Sequence, residues 1–339
     1  MKAALVGAGY WGPNLARNLV AQRGLDGVVV CDLDPVKLEK MKERFPSVET
    51  TRDFDAVLGD PEIGAVLLAT PISTHGPLGL RVLEANKHLF VEKPLASSTA
   101  EARQLMQAAD AAGRVLMVGH TFEFSPPVLR AKEMIDAGEL GDIFFISVMR
   151  VNLGLHQRDV SVIWDLVPHD FSILFHWLKE SPCYVNAFGR DCVQKGIPDV
   201  AFINLRFPSG VIANIEVAWL APSKLRRTAV VGQKKMLVYD DTENVEKLKL
   251  YDQGVDFHDP ETFGEYQLSY RTGDIVSPRL SNQEPLRMEV EHFFHCIQTG
   301  ERPKTDGASG LRVVEALEAA ETSLRTGHPV HLEGRRLDA

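Results

Sequence analysis

The chain has 339 residues, 45% hydrophobic and 24% charged, which is ordinary globular composition and more length than one hydrophobic core organises, so two domains are expected. A formal net charge of -9 leaves no broad cationic surface, which argues against nucleic-acid backbones and anionic membranes as partners. No uncharged stretch of ~18 residues suits a membrane-spanning helix. The opening residues carry no secretory-type segment, and the four cysteines (Cys31, Cys183, Cys192 and Cys296) form no CxxC pair, so a cytoplasmic protein with reduced thiols is expected.

From Lys2 to about Gly119, short apolar runs at 3–6, 28–31, 65–69, 89–91 and 115–118 alternate with stretches of helical period. Continuous aliphatic runs of this length fit strands buried on both faces, with helices as the crossovers that parallel strands require. This is the pattern of a doubly wound α/β domain.

The first run leads into Gly7, Ala8, Gly9, Tyr10, Trp11 and Gly12, then into a helical stretch with Pro13 in its first turn. GxGxxG between a strand and a helix permits a tight turn and close approach of backbone to a pyrophosphate, which then meets the amides and positive dipole end of the helix. The second run ends at Asp32, placed to accept from the adenosine ribose hydroxyls and to repel a 2′-phosphate, so NAD is favoured over NADP. Without that context a glycine-rich turn is only a turn.

Thr70, Pro71 and His75 follow the third run and line the same expected crevice, although His75 equally suits capping or packing a helix. The fourth run ends at Glu92, Lys93 and Pro94, past the carboxyl end of a strand, where open α/β sheets bind ligands. A lysine there stabilises negative charge on a reacting oxygen. The alternative is an exposed Glu-Lys pair before a loop proline. The candidate cofactor contacts are therefore Gly7, Gly9, Tyr10, Trp11, Gly12, Asp32, Thr70, Pro71, His75, Glu92 and Lys93.

After Asp142 the texture changes. Residues 143–148, 200–207, 211–219 and 224–250 are strand-like, with Pro208, Ser209 and Gly210 as a turn between the second and third. Strands without regular helical crossovers imply a mostly antiparallel sheet, hence an α+β second domain. Residues 252–285 are polar and rich in turn formers, and read as a long loop or insertion. Helical segments at about 284–298 and 308–326 close the chain. The expected boundary divides 1–120 from 121–339, with the C-terminal residues free to pack back on the first domain.

Trp164 to Asp170 opens a further helical segment. If Pro168 falls in its first turn, Asp165 sits near the N-cap and His169 one turn later, four residues on and on the same face. A neutral imidazole there can accept a hydroxyl proton as hydride leaves, oriented by the carboxylate. The competing readings are a plain cap, a structural histidine, or two metal ligands. Nothing completes a metal site, so none is expected.

Taken together, Gly7 to Gly12, Asp32, Glu92-Lys93-Pro94, Asp165 with His169, and the closing helices make the chain similar to the Gfo/Idh/MocA family of oxidoreductases over nearly its whole length. The resemblance implies an N-terminal Rossmann domain and a C-terminal open-faced sheet through which homodimers or homotetramers form. It further implies NAD-dependent dehydrogenation of a sugar carbinol, with His169 as proton acceptor, Lys93 as its catalytic partner and Asp165 positioning substrate. Relatives often carry Asn followed by Arg-Arg-Phe where this chain has His120, Thr121, Phe122, Glu123 and Phe124, so contacts there are open. The segments at 10–14 and 164–170 most resemble members that oxidise C3 of nucleotide-activated amino sugars. For such a diphosphate Arg158 is the candidate cation, with Arg226 and Arg227 as others. A free sugar, inositol or sugar phosphate is the nearer rival. A non-catalytic NAD sensor is the rival from another class, and it need not keep Lys93, Asp165 and His169 together.

Overall fold

The computed structural model describes residues 1–154, 160–257 and 268–336. They fall into two compact units, Met1–Phe124 with Gln283–Glu318, and Ser125–Asn282 with the chain from Ala319.

The first unit opens with β1 (Lys2–Val6), α1 (Gly12–Ala21), β2 (Val28–Cys31), α2 (Pro35–Arg44), β3 (Glu49–Thr51), α3 (Phe54–Gly59), β4 (Ile63–Leu68), α4 (His75–Glu84), β5 (His88–Glu92), α5 (Thr99–Ala112) and β6 (Leu116–Gly119). The strands are all parallel in the order β3-β2-β1-β4-β5-β6. Strand order reverses between β1 and β4, so the crevice outside the carboxyl ends of those strands is the ligand position for this topology. The strand at β3 has no counterpart in the apolar pattern, because it is an edge strand of three residues, Glu-Thr-Thr, that buries none of them. Helix starts follow capping chemistry: Asp34 accepts from Val36 N–H, Asp53 from Asp55 and Ala56 N–H, and Ser98 from Glu101 N–H.

In the second unit α6 (Pro126–Asp136) precedes β7 (Ile143–Leu153) and α7 (Val162–Leu178). Then come β8 (Tyr184–Arg190), β9 (Val200–Arg206), β10 (Ile212–Ala218), β11 (Leu220–Gly232), β12 (Met236–Asp240), β13 (Leu248–Tyr251), β14 (Gly254–Phe257), β15 (Leu268–Arg271) and β16 (Ile275–Val276). The chain closes through α8 (Pro285–Thr299), α9 (Gly307–Thr326) and β17 (Val330–His331). The large sheet runs β16-β13-β12-β11-β7-β10-β9-β8-β17 and is antiparallel except for the β7–β10 pair. That one parallel pair follows from α7, which intervenes as a crossover after β7. The expected long loop at 252–285 is corrected in part: β14 and β15 pair as their own antiparallel ribbon and β16 joins the main sheet through β13. These strands of two to four residues are too short to rise above a polar background in the sequence.

Alternation divides the main sheet into two faces. Ile146, Val148, Val185, Ala187, Ala201, Ile203, Leu205, Ala213, Ile215 and Val217 are buried. α7 packs over this side through contacts with β9 and β10. Its Phe171 stacks on Phe175 at 5.5 Å, and Phe175 meets Phe207 edge-on at 6.3 Å. The opposite face carries exposed Phe145, Phe188, Phe202 and Ile212.

In the first unit α8 packs on α1, and Phe293 and Phe294 join Leu5, Leu15, Leu19, Phe90 and Met117 in one apolar cluster. No helix among the described residues is long and apolar enough to cross a membrane.

Candidate active site

Gly7 holds φ +102°, and a Cβ there would lie 2.4 Å from the carbonyl oxygen of Ala69 at the end of β4. A Cβ on Gly12 would lie 2.7 Å from the Gly7 carbonyl oxygen, so both positions admit only glycine. Around Gly9 a Cβ would meet nothing within 4 Å, so the middle of the loop faces open space. α1 begins there without a side-chain cap, leaving the amides of its first turn for an anion. Tyr10 and Trp11, 83% and 41% exposed, flank the same turn edge-on at 5.9 Å, surface that a planar ring can cover.

Asp32 follows β2, and one carboxylate oxygen accepts from Ala8 N–H at 2.7 Å while the other accepts from Asp34 N–H at 2.9 Å. Lys37 stands 4.0 Å away. The carboxylate is thereby fixed to the glycine loop with lone pairs left for ribose hydroxyls. A tight first glycine, an open second one, an uncapped helix and an oriented acid fit a dinucleotide with a free ribose 2′-hydroxyl.

Across the switch point, Thr70 and Pro71 follow β4, and Lys93 and Pro94 follow β5. The Thr74 hydroxyl oxygen lies 2.7 Å from both the Pro71 carbonyl oxygen, to which it donates, and the Thr70 hydroxyl, tying this loop to itself. His75, named with the crevice residues, turns inward: it is buried, with Nδ1 2.9 Å from the Pro94 carbonyl oxygen and Nε2 2.9 Å from that of Thr70. Glu92 is also buried, and burial pushes its carboxyl up to about 7 against the pull of neighbouring Lys93. Its acid group belongs to the strand end rather than to the solvent-facing surface. Lys93 is half-buried.

Next to this edge lies a set of buried ionisable groups that the sequence reading left open. Burial pushes His120 down to about 3 and Glu123 up to about 8, and raises Glu289 well above the carboxylate range. The Thr121 hydroxyl donates to Glu289 at 2.7 Å, and Lys304 donates to the Glu123 carbonyl at 2.6 Å. So Glu123 packs as a buried acid near Lys304 and Arg312.

In the second unit the expected start of the helix carrying Asp165 and His169 is corrected. α7 begins at Val162 with Ser161 as N-cap, a full turn earlier, so Pro168 lies inside the helix and Asp165 in its first turn. Buried Val162 and Ile163 extend the helix upstream, and this packing outweighs the amide hydrogen bond that Pro168 cannot make. Asp165 does not cap. It accepts from the Trp219 indole N–H at 3.0 Å, and Trp219 is itself buried after β10. Four residues on, His169 shares its helical face, and both are partly exposed.

The neighbouring Asp170 points the other way into a buried, bidentate pair with Arg150 of β7, with N–H···O distances of 2.7 to 3.0 Å. Trp219, Arg150 and Asp170 were not singled out as positioning residues. One signal was present: Arg150 falls in register with inward-facing Ile146 and Val148, and a lone arginine on a buried strand face needs a carboxylate. Arg158 lies outside the described residues. Arg226 is engaged by Asp241 at 3.2 Å, and Arg227 is exposed. No group of three or more His, Cys, Asp or Glu among the described residues could hold a metal ion.

Residues 1–120 match the model described as oxidoreductase family, NAD-binding Rossmann fold, and residues 128–238 match the GFO/IDH/MocA C-terminal domain. The chain is 27% identical over 350 aligned positions to the scyllo-inositol 2-dehydrogenase (NAD(+)) of Bacillus subtilis, covering 99% of this chain and 97% of that one. The myo-inositol 2-dehydrogenase of Thermotoga maritima is 25% identical over 98% of this chain and 99% of its own length. Among solved structures, GenD2 from gentamicin A biosynthesis in complex with NAD superposes with a TM-score of 0.81 at 25% identity, covering 98% and 96% of the two chains.

Proposed function

Because the chain belongs to the GFO/IDH/MocA family and is an NAD-dependent dehydrogenase acting on CH-OH, we propose that it oxidises a secondary carbinol on a cyclitol or sugar ring. The observation that carries this reading is partly exposed His169 one helical turn from an acid, Asp165, held in place by Trp219. Bound NAD supplies the hydride acceptor. His169 takes the hydroxyl proton, Lys93 stabilises charge on the reacting oxygen, and Asp165 orients a substrate hydroxyl. Asp32 selects the unphosphorylated ribose. Full-length similarity to inositol dehydrogenases supports a polyol ring.

A second reading, oxidation at C3 of a nucleotide-activated amino sugar, rests on the segments at 10–14 and 164–170. With Arg226 committed to Asp241, a diphosphate on this reading is left to Arg158 and Arg227.

We further propose that the chain works as a homo-oligomer. Phe145 pairs in register with Ile212, and Phe202 with Phe188, so two apolar pairs lie on the open face of the main sheet. A copy of the same face is the partner that would cover them.

The test is turnover, followed as reduced-nicotinamide absorbance, with NAD and myo-inositol, scyllo-inositol, glucose, glucose 6-phosphate, UDP-N-acetylglucosamine or its uronic acid. Activity on a cyclitol or free sugar establishes the first reading, and activity confined to a UDP-sugar replaces it with the second. Inactivity of the wild type on every donor with NAD bound would reject both.

A further inference from the structure

The parallel ladder between β4 and β5 ends at Leu68 and Val91, before either chain reaches the residues assigned to the site. Beyond that point no backbone pairing between these two strands fixes the spacing of Thr70 and Lys93. The side chain that spans the gap is His75, the first residue of α4. Its two ring nitrogens each lie 2.9 Å from a carbonyl oxygen, one on Thr70 and the other on Pro94, the residue after Lys93. The ring is 1% exposed. Gly76 fits the next position because the Glu101 carboxylate occupies the space a Cβ would take, at 2.9 Å, and Glu101 in turn accepts from the Ser97 amide and hydroxyl. The start of α4 is thus packed against α5 at Gly76, while the His75 ring lies against both loops.

We propose that His75 is a positioning residue for Lys93, its imidazole bridging the carbonyls of Thr70 and Pro94 and so setting where the end of β5 presents the lysine. This rests on the reading of Lys93 as the cation that stabilises the reacting oxygen. Both partners are pure acceptors, so the bridge depends on ring N–H donors that a hydrophobic side chain lacks. Burial, reinforced by the charge on Lys93, holds the proton affinity of the ring below the usual histidine value, while the two carbonyls and Glu101 pull the other way. A neutral ring donates to only one of the two carbonyls, and the second contact becomes a hydrogen bond only when the other ring nitrogen also carries a proton.

The position of a catalytic cation governs rate more than affinity, since misplacement by about 1 Å costs as much as 10²-fold. His75→Phe, His75→Gln and Lys93→Ala are therefore compared by single-turnover hydride transfer at saturating NAD, using whichever donor of the screen above is active. His75→Phe keeps the bulk of the ring and removes its donors. Its rate should fall about 10- to 100-fold while the Kd for NAD stays within about threefold. His75→Gln, whose amide N–H reaches one carbonyl, should recover most of that loss. A packing role predicts the reverse order, with Phe near wild type and Gln worse.

If folded His75→Phe retains the wild-type rate, the proposal is wrong. Should it fail to fold, His75→Gln decides alone: loss of its rate to the level of Lys93→Ala, with folding and NAD affinity intact, overturns the proposal, and a partial rate supports it. If Lys93→Ala itself turns over normally, the reading of the lysine falls. If Lys93→Ala collapses while His75→Phe does not, only the inference about His75 falls.

Discussion

At the scale of single residues, the roles assigned by chemistry separate binding from turnover. Lys93→Ala and His169→Ala remove groups outside the glycine loop, so each should lower kcat by about 10²- to 10⁴-fold with NAD affinity, measured by fluorescence titration, nearly unchanged. A variant at full rate would remove that residue from the mechanism. Asp32→Ser keeps one oxygen where the native carboxylate accepts from both Ala8 and Asp34 N–H and is proposed to meet a ribose. It should weaken NAD and narrow the preference over NADP, and unchanged discrimination in the same titration would take Asp32 out of the site. These residues were open to nomination from the sequence because each sits where a motif meets a strand end or a helical face. Trp219 and Arg150 were not, because their partners Asp165 and Asp170 are 54 and 20 residues away in the chain, and only folding brings them together.

Among the elements, α7 carries the partly exposed pair Asp165 and His169, and the buried Arg150–Asp170 bridge ties it to β7. The bridge is bidentate and both side chains are almost wholly inaccessible, so removing one partner leaves the other charged and unsolvated. Asp170→Ala should destabilise the second unit by about 3–5 kcal/mol in urea unfolding, while Arg150→Met with Asp170→Leu should cost far less. Equal losses in the two variants would mean that the bridge does not hold the helix. The start of α7 illustrates why element ends are hard to read. Proline marks the first turn of a helix in an isolated chain, yet apolar contacts of Val162 and Ile163 carry this helix past it. The short strands β3, β14, β15 and β16 escaped for a related reason: two to four residues hold too little periodicity to be distinguished from loop, and their partners define them.

For the whole molecule, pH acts through the buried acids and imidazole of the first unit. Glu92 and Glu123 bind protons more tightly when folded, about 7 and about 8 against 4.5, so the folded state holds more protons through that interval and stability falls as pH rises across it. His120 works in the opposite sense: its folded value of about 3 lies below 6.5, so stability is lost as pH falls through that range. The thermal midpoint of Glu123→Gln should therefore decline less between about pH 5 and 8 than that of the wild type. An identical slope would show that Glu123 is not buried as a neutral acid. If the chain is the proposed homo-oligomer, placing charge on the open sheet face, as in Phe202→Arg, should shift it toward monomer in sedimentation without loss of fold, and an unchanged species would reject this face as the interface. Local pattern alone determined that this is a doubly wound, NAD-binding unit followed by an antiparallel-rich one, because period, glycine spacing and strand-end chemistry are properties of neighbouring residues. Tertiary structure alone decided that His75 faces inward, that Glu123 and Glu289 are buried acids and that Trp219 holds Asp165, because burial and partnership are set by segments far apart in the chain.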